Sequence, residues 1–130
     1  MHGSTIPAEA LAVQIVWKNT ELLNAAKGIV LAALTLKYAG IPWMCTDHVA
    51  PEYRPADSKR SPGIMGSACC TLKAAGILED GPDRVRSDRP EANGRKIGTY
   101  RLVSVALAES FLKRYGIHVE KQQMEMALQL

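Results

Sequence analysis

The chain has 130 residues, of which 47% are apolar and 22% are charged, a composition typical of a soluble globular domain. Its longest predominantly apolar run, residues 29–36, is much shorter than the roughly 20 residues that a helix needs to cross a bilayer, which argues against a membrane-spanning segment. The first residues lack the features of a secretory signal. Three cysteines, two of them adjacent, do not form a disulfide pattern, so we expect a cytoplasmic protein.

The net charge of +3 is concentrated in one part of the sequence. Residues 81–103 carry six cations against three acids, whereas residues 1–50, 51–80 and 104–130 are each neutral. Five of these six cations are arginines, in a stretch rich in turn-forming residues. A basic segment on a neutral body predicts a local contact surface for a polyanion. A solvated loop explains the charge pattern equally well.

Helices are the first elements predicted along the chain. Pro7 favours the first turn of a short helix that ends near Trp17. A longer helix is predicted from Thr20, as its cap, to a glycine stop at Gly40, because apolar residues recur between them at helical spacing. Gly28 lies inside this helix, where glycine costs about 1 kcal/mol relative to alanine, so close packing against another element is expected there.

An extended segment and a polar loop are predicted next. Pro42 disfavours helical backbone before it, so residues 41–45 are predicted to be extended. Thr46 or Asp47 is predicted to cap a short helix, and the proline-broken residues 51–60 are predicted to form a connecting loop.

The second half of the chain predicts a helix, a hairpin and a last helix. Ser61 as a cap, followed by proline, predicts a helix over residues 62–75. A strand beginning at residues 77–78, a turn-rich basic stretch over 79–96 and a returning strand over 97–103 predict a hairpin with a long basic tip. Ser104 is then predicted to cap a helix that stops at Gly116, after which the tail from Ile117 to Leu130 carries one more helical stripe.

This order of elements resembles that of a winged helix-turn-helix domain. The pattern Gly66-x5-Leu72-x3-Gly76-Ile77-Leu78 is similar to a recognition helix entering the first wing strand. The run over residues 86–96 resembles the wing of small winged-helix proteins encoded in bacteria and their phages, and the likeness covers about residues 24–115. It implies an α+β fold and DNA binding in replication or transcription control, without catalysis.

We therefore predict three parts in this chain. They are an N-terminal helical extension over residues 1–19, a winged-helix domain over 20–116 and a C-terminal helical extension over 117–130. The two extensions are candidates for a homodimer contact, and the alternative is that they cover the core of the domain. The apolar residues proposed for this contact are Val13, Val16, Trp17, Met124 and Leu128.

The resemblance implies that helix 62–75 meets the major groove of duplex DNA. Its outward side chains are short, so we expect little direct reading of bases and mainly phosphate contacts, made by the start of this helix and by a wing over residues 81–97. Free amides at Gly63 and Ile64 and the hydroxyl of Ser61 are expected to attract phosphate. The predicted DNA-binding residues are Lys59, Arg60, Ser61, Gly63, Ser67, Thr71, Arg84, Arg86, Arg89, Arg95 and Lys96.

Other functions receive less support from the sequence. A zinc site or a Cys–His nucleophile built from Cys45, His48, Cys69 and Cys70 lacks the usual ligand spacing and a third catalytic group, so we predict no enzyme, metal or cofactor. His48 is interpreted as a helix-start residue. The main alternative is a protein-interaction module that uses the winged fold and its arginine loop to bind an acidic partner in a replication or transcription complex.

Overall fold

The computed structural model describes Trp17, residues 19–89 and residues 94–117. In these residues an α+β fold is formed by helices α1 (Thr20–Tyr38), α2 (Ser61–Ala74) and α3 (Val105–Arg114) and by antiparallel strands β1 (Leu78–Arg86) and β2 (Lys96–Leu102). None of the helices in this part of the chain has the length and apolarity needed to cross a membrane. The predicted helix from Pro7, the predicted tail helix and the dimer candidates Val13, Val16, Met124 and Leu128 lie outside the described residues.

The cap residue of helix α1 lies one position earlier than predicted. The side-chain oxygen of Asn19 accepts a hydrogen bond of 2.7 Å from the backbone N–H of Leu22, so Asn19 is the cap and Thr20 is the first helical residue. Gly40 follows the helix at φ +84°, as the predicted stop requires. The close packing predicted at Gly28 is confirmed, because this residue lies against the side chain of Tyr53.

Two short 3₁₀ turns replace the single short helix and plain loop predicted after α1. Residues 41–45 are extended as predicted, and Met44 forms an isolated bridge with Tyr100 through two backbone hydrogen bonds of 2.8 Å. The turns cover Thr46–His48 and Pro51–Tyr53. Pro51 is the first residue of the second turn, a position that proline favours.

The start of α2 differs from the predicted serine cap. Arg60 occupies the cap position and Ser61 is the first helical residue, with its N–H donating to the carbonyl oxygen of Asp57 at 3.0 Å. The chain is thus already turning before Ser61, which places this side chain in the interior. Gly76, at φ +79°, ends the helix region as predicted.

The first part of the basic stretch predicted to be a long turn, residues 79–86, belongs to a strand. Strand β1 continues to Arg86, and its last three residues pair with Lys96–Gly98 of β2. A register shift between Asp80 and Arg84 accommodates Pro82, because proline cannot donate to a strand ladder and occurs at such irregularities. We call β1, β2 and the residues between them the hairpin.

The core lies between α1, the inner faces of α2 and α3, and the base of the hairpin. Its largest fully buried side chains are Phe111, Ile29, Leu34, Met44, Met65, Leu72, Ile77 and Leu112. Ser104 caps α3 as predicted, accepting a hydrogen bond of 3.2 Å from the N–H of Leu107. Trp17 donates to the hydroxyl of Tyr115 at 3.0 Å, which attaches it to the end of α3.

Candidate nucleic-acid interface

A groove of about 610 Å³ separates the start of α2 from the hairpin. Thr46 and Asp47 of the first 3₁₀ turn form its third wall with Arg54. Its lining residues are Thr46, Asp47, Arg54, Ser58, Lys59, Pro62, Met65, Gly66, Arg84, Ser87, Arg89, Arg95, Lys96, Ile97, Gly98 and Tyr100. We call this feature the cationic groove, because six of these side chains are cations.

The charges of the groove are strongly unequal. Among the described residues, Arg54, Lys59, Arg84, Arg89, Arg95 and Lys96 line it together with a single carboxylate, Asp47. A concave surface lined by one sign of charge focuses its field on the space between the walls. The cationic groove therefore attracts anions, and guanidinium groups suit phosphate oxygens in particular.

Three cations of the hairpin have no ion-pair partner among the described residues. No salt bridge between described residues involves Arg84, Arg95 or Lys96. The closest internal contact of Arg84 is a long hydrogen bond of 3.4 Å from Nη2 to the carbonyl oxygen of Lys96. Arg86 is exposed outside the groove, where its guanidinium lies over the turn residue Gly94.

Two residues predicted at the start of α2 do not face the groove. Arg60 forms a 2.7 Å salt bridge with Glu21 of α1, away from the groove lining. Ser61 is only 1% exposed, so the prediction that its hydroxyl meets phosphate at the surface is wrong. The chain turns into helical conformation before Ser61 and carries its side chain inward.

Of the two free backbone N–H groups predicted at the start of α2, those of Gly63 and Ile64, one is hydrogen-bonded. The N–H of Ile64 donates to the carbonyl oxygen of Arg60 at 3.1 Å, so that half of the prediction is wrong. Among the described residues, the N–H of Gly63 has no backbone partner, and Gly63 is exposed. Lys59 lines the cationic groove, whereas Gly63 lines a second hollow on the outward face of α2.

Ser67 and Thr71 lie on a different surface, the outward face of α2. They line a second hollow with Gly63, Gly66 and Cys70 rather than the cationic groove. The hydroxyl of Thr71 donates back to the carbonyl oxygen of Ser67 at 3.0 Å. The short side chains on this face fit the prediction of little base reading.

Arg54 is a groove residue that the sequence prediction missed. Its Nη1 donates to the carbonyl oxygen of Thr46, while its Nη2 is buried with no hydrogen-bond partner among the described residues. The count of charges by segment did not single out Arg54, because residues 51–80 contain as many acids as cations and have no net charge. A useful signal was its position before Pro55, which favours the extended backbone observed at Arg54, φ −98° and ψ 146°.

Cys45 and His48 lie together at the first 3₁₀ turn, where Sγ of Cys45 is 3.6 Å from Nδ1 of His48. The Nδ1 atom of His48 accepts a hydrogen bond of 3.0 Å from the N–H of Cys45, the capping role expected of a helix-start residue. Burial raises the pKa of the Cys45 thiol, and raises that of Cys69 to about 12, which disfavours the nucleophilic thiolate. Within the described residues no group of three or more acidic, histidine or cysteine side chains is placed to hold a metal ion.

Comparison of the chain with protein-family models, with curated proteins and with solved structures finds no match. The chemistry of the surface therefore follows from its own side chains. The groove brings six cations and one carboxylate together among the described residues, a balance of charge that favours an anionic ligand.

Proposed function

We propose that this protein binds duplex DNA through the sugar-phosphate backbone, as a winged helix-turn-helix domain in which α2 is the recognition helix and the hairpin is the wing. The observation that carries the proposal is the cationic groove between these two elements. Lys59, just before α2, and the cations of the hairpin, distant in sequence, line the same space. A phosphate backbone that passes between a helix and an arm meets both sets.

The outward face of α2 supports backbone contact rather than base recognition. Its exposed residues include Gly63, Gly66, Ser67 and Cys70, which lack the bidentate groups that distinguish base pairs. Lys73, the long cation near its end, is held by Asp80 at 3.0 Å. We therefore propose binding with low sequence preference, of a regulatory or architectural kind.

The experiment is a titration of the full chain with a labelled random-sequence duplex at several salt concentrations, followed by fluorescence anisotropy. Backbone binding predicts that the logarithm of affinity falls with the logarithm of salt concentration, with a slope of roughly −0.9 for each phosphate contact. A wild-type protein without measurable affinity at moderate salt would refute the proposal. Binding of an acidic protein instead would favour an interaction module.

Two matched triple variants locate the contact. Changing Arg84, Arg95 and Lys96 to alanine removes three cations of the groove. The control changes Arg60, Lys73 and Arg101 to alanine, which removes three cations that are paired with Glu21, Asp80 and Glu79. We expect the first variant to lose slope by roughly 0.9 for each contact and the second to lose much less. Equal losses would mean that net charge alone drives binding.

A further inference from the structure

Asp47, the carboxylate of the cationic groove, is bonded to the hairpin. The hydroxyl of Ser87 lies 2.9 Å and 3.1 Å from its two oxygens and donates to this carboxylate. The backbone N–H of Asp88 donates to Oδ2 of Asp47 at 2.8 Å. A side chain before α2 thus holds two successive residues of the hairpin, 40 and 41 positions later in the chain.

Asp47 is held in place by its own turn. The turn Thr46–His48 is closed by the hydrogen bond of 3.0 Å between the N–H of Cys45 and Nδ1 of His48. Arg54 donates to the carbonyl oxygen of Thr46 on the other side. The carboxylate therefore projects from a fixed backbone.

Ser87 is fixed on the hairpin side. It is only 6% exposed, and its N–H donates to the carbonyl oxygen of Arg95 at 2.9 Å, which closes the hairpin beyond the paired strands. Its hydroxyl oxygen also accepts a hydrogen bond of 3.2 Å from the N–H of Arg89. The contact with Asp47 consequently joins two ordered segments, at the point of the hairpin where the arginines are concentrated.

The hairpin has a second attachment at its base. There, Met44 pairs with Tyr100 through two backbone hydrogen bonds of 2.8 Å. A two-stranded hairpin alone is marginally stable in water, so an arm held only at its base would sample many positions. The Asp47 contact attaches the hairpin a second time, at Ser87 and Asp88, farther from its base.

We propose that Asp47 is a positioning residue for DNA binding, which holds the basic hairpin beside α2 before the duplex arrives. The proposal rests on the function proposed above. Ordering the arm in advance lowers the entropy cost of binding. The opposing interpretation is that Asp47 only repels phosphate from the groove, in which case removing its charge improves binding.

Two charge-matched variants separate these interpretations. Asp47→Asn removes one negative charge, so the hydrogen bonds from Ser87 and Asp88 to this side chain lose the added strength of a charged acceptor. Asp83→Asn removes the same charge from an exposed position of β1. We expect Asp47→Asn to weaken duplex binding about tenfold, which is about 1.4 kcal/mol and near the lower end of the contribution of a hydrogen bond to a charged group. We expect Asp83→Asn to leave binding unchanged or strengthen it.

Ser87→Ala provides a second variant without any change of charge. It removes the hydroxyl donor from Asp47, so we expect weaker duplex binding here too. If Asp47→Asn binds as tightly as Asp83→Asn, or if Ser87→Ala binds as tightly as the wild type, the positioning role is wrong. Circular dichroism spectra and melting curves of each variant establish that it is folded.

A readout without DNA separates failure of this inference from failure of the proposed function. We expect the Asp88 amide, which donates to Asp47, to be protected from hydrogen exchange in the wild type and to lose protection in Asp47→Asn but not in Asp83→Asn. Loss of protection without weaker binding would overturn positioning while leaving DNA binding intact. A wild type that binds no duplex would refute both proposals, whatever the exchange result.

Discussion

Gly28 of α1 packs directly against Tyr53 of the second 3₁₀ turn. A Cβ atom built on Gly28 would lie 2.3 Å from the Cβ of Tyr53 and 2.8 Å from Cγ1 of Val49. The optimal separation of two non-bonded carbon atoms is about 3.5–4.0 Å. The Cβ of Tyr53 is attached directly to the backbone, so it cannot move away unless the backbone moves. We expect Gly28→Ala to lower the free energy of unfolding by about 1–2 kcal/mol, because overpacking outweighs the better helix propensity of alanine. Urea unfolding measures this change.

Gly66 of α2 offers a matched control for this substitution. A Cβ atom there meets nothing within 4 Å, and the residue is exposed. We expect Gly66→Ala to raise the free energy of unfolding by about 0.5–1 kcal/mol through helix propensity alone. Equal stability of the two variants would mean that α1 and the 3₁₀ turn are not in contact.

Ser61 is expected to contribute to neither DNA binding nor stability through its hydroxyl. This group is buried without a hydrogen-bond partner among the described residues, and an unsatisfied buried polar group costs about 1–3 kcal/mol. We expect Ser61→Ala to raise the free energy of unfolding by about 1 kcal/mol and to leave duplex affinity unchanged. Chemical denaturation and the anisotropy titration check the two parts. A clear loss of affinity would restore the phosphate contact suggested by the sequence.

The alkylation rate of Cys70 can be used to probe the outward face of α2. It is exposed, whereas Cys45 and Cys69 are buried. Burial raises the pKa of both buried thiols, that of Cys69 to about 12, so the thiolate that reacts with alkylating reagents is scarce at these positions at pH 8. In the native protein we expect one rapidly reacting cysteine, identified as Cys70 by peptide mass spectrometry.

Duplex DNA is expected to slow the alkylation of Cys70. The reason is that the proposed interface places the outward face of α2 against the duplex. Cys70→Ser is the control, because it should abolish the fast reaction altogether. Rapid alkylation of Cys70 in a DNA-saturated sample would show that α2 faces away from the duplex, even if the hairpin binds.

Local signals in the sequence predicted the helices well. Gly40, Gly76 and Gly116 adopt φ values of +84°, +79° and +82° at the ends of the three helix regions. Each of these helix ends depends on one residue that adopts a positive φ, and glycine does so without a steric penalty. Such a residue can be recognised directly in the sequence. The starts were less predictable, because Asn19 and Thr20 are both suitable caps and local preference does not choose between them.

The groove depended on relationships that the sequence does not display. Asp47 meets Ser87 across 40 positions, and no local pattern indicates this pairing. Strand β1 was concealed because Pro82 interrupts its alternation and is tolerated only through a shift of register. Long-range pairing also decided which arginines line the groove. The prediction included Arg60, which is paired with Glu21, and omitted Arg54, which lines the groove.

Arg54 is expected to contact a phosphate of the bound duplex. It lines the cationic groove, so its positive charge is close to any phosphate that enters this space. We expect Arg54→Ala to weaken binding to all duplex sequences alike and to reduce the salt slope by roughly 0.9, the value of one phosphate contact. Arg54→Lys should recover only part of the affinity, because an ammonium group lacks the fork that serves Thr46 and a phosphate together.

Arg114→Ala is the matched control for Arg54→Ala. Arg114 is an exposed arginine at the end of α3, outside the groove lining, and its loss changes the net charge equally. We expect its salt slope to equal that of the wild type, with melting curves confirming that both variants are folded. An unchanged slope in Arg54→Ala would mean that this guanidinium serves only to hold the Thr46–His48 turn. In that case the phosphate path lies along the hairpin alone.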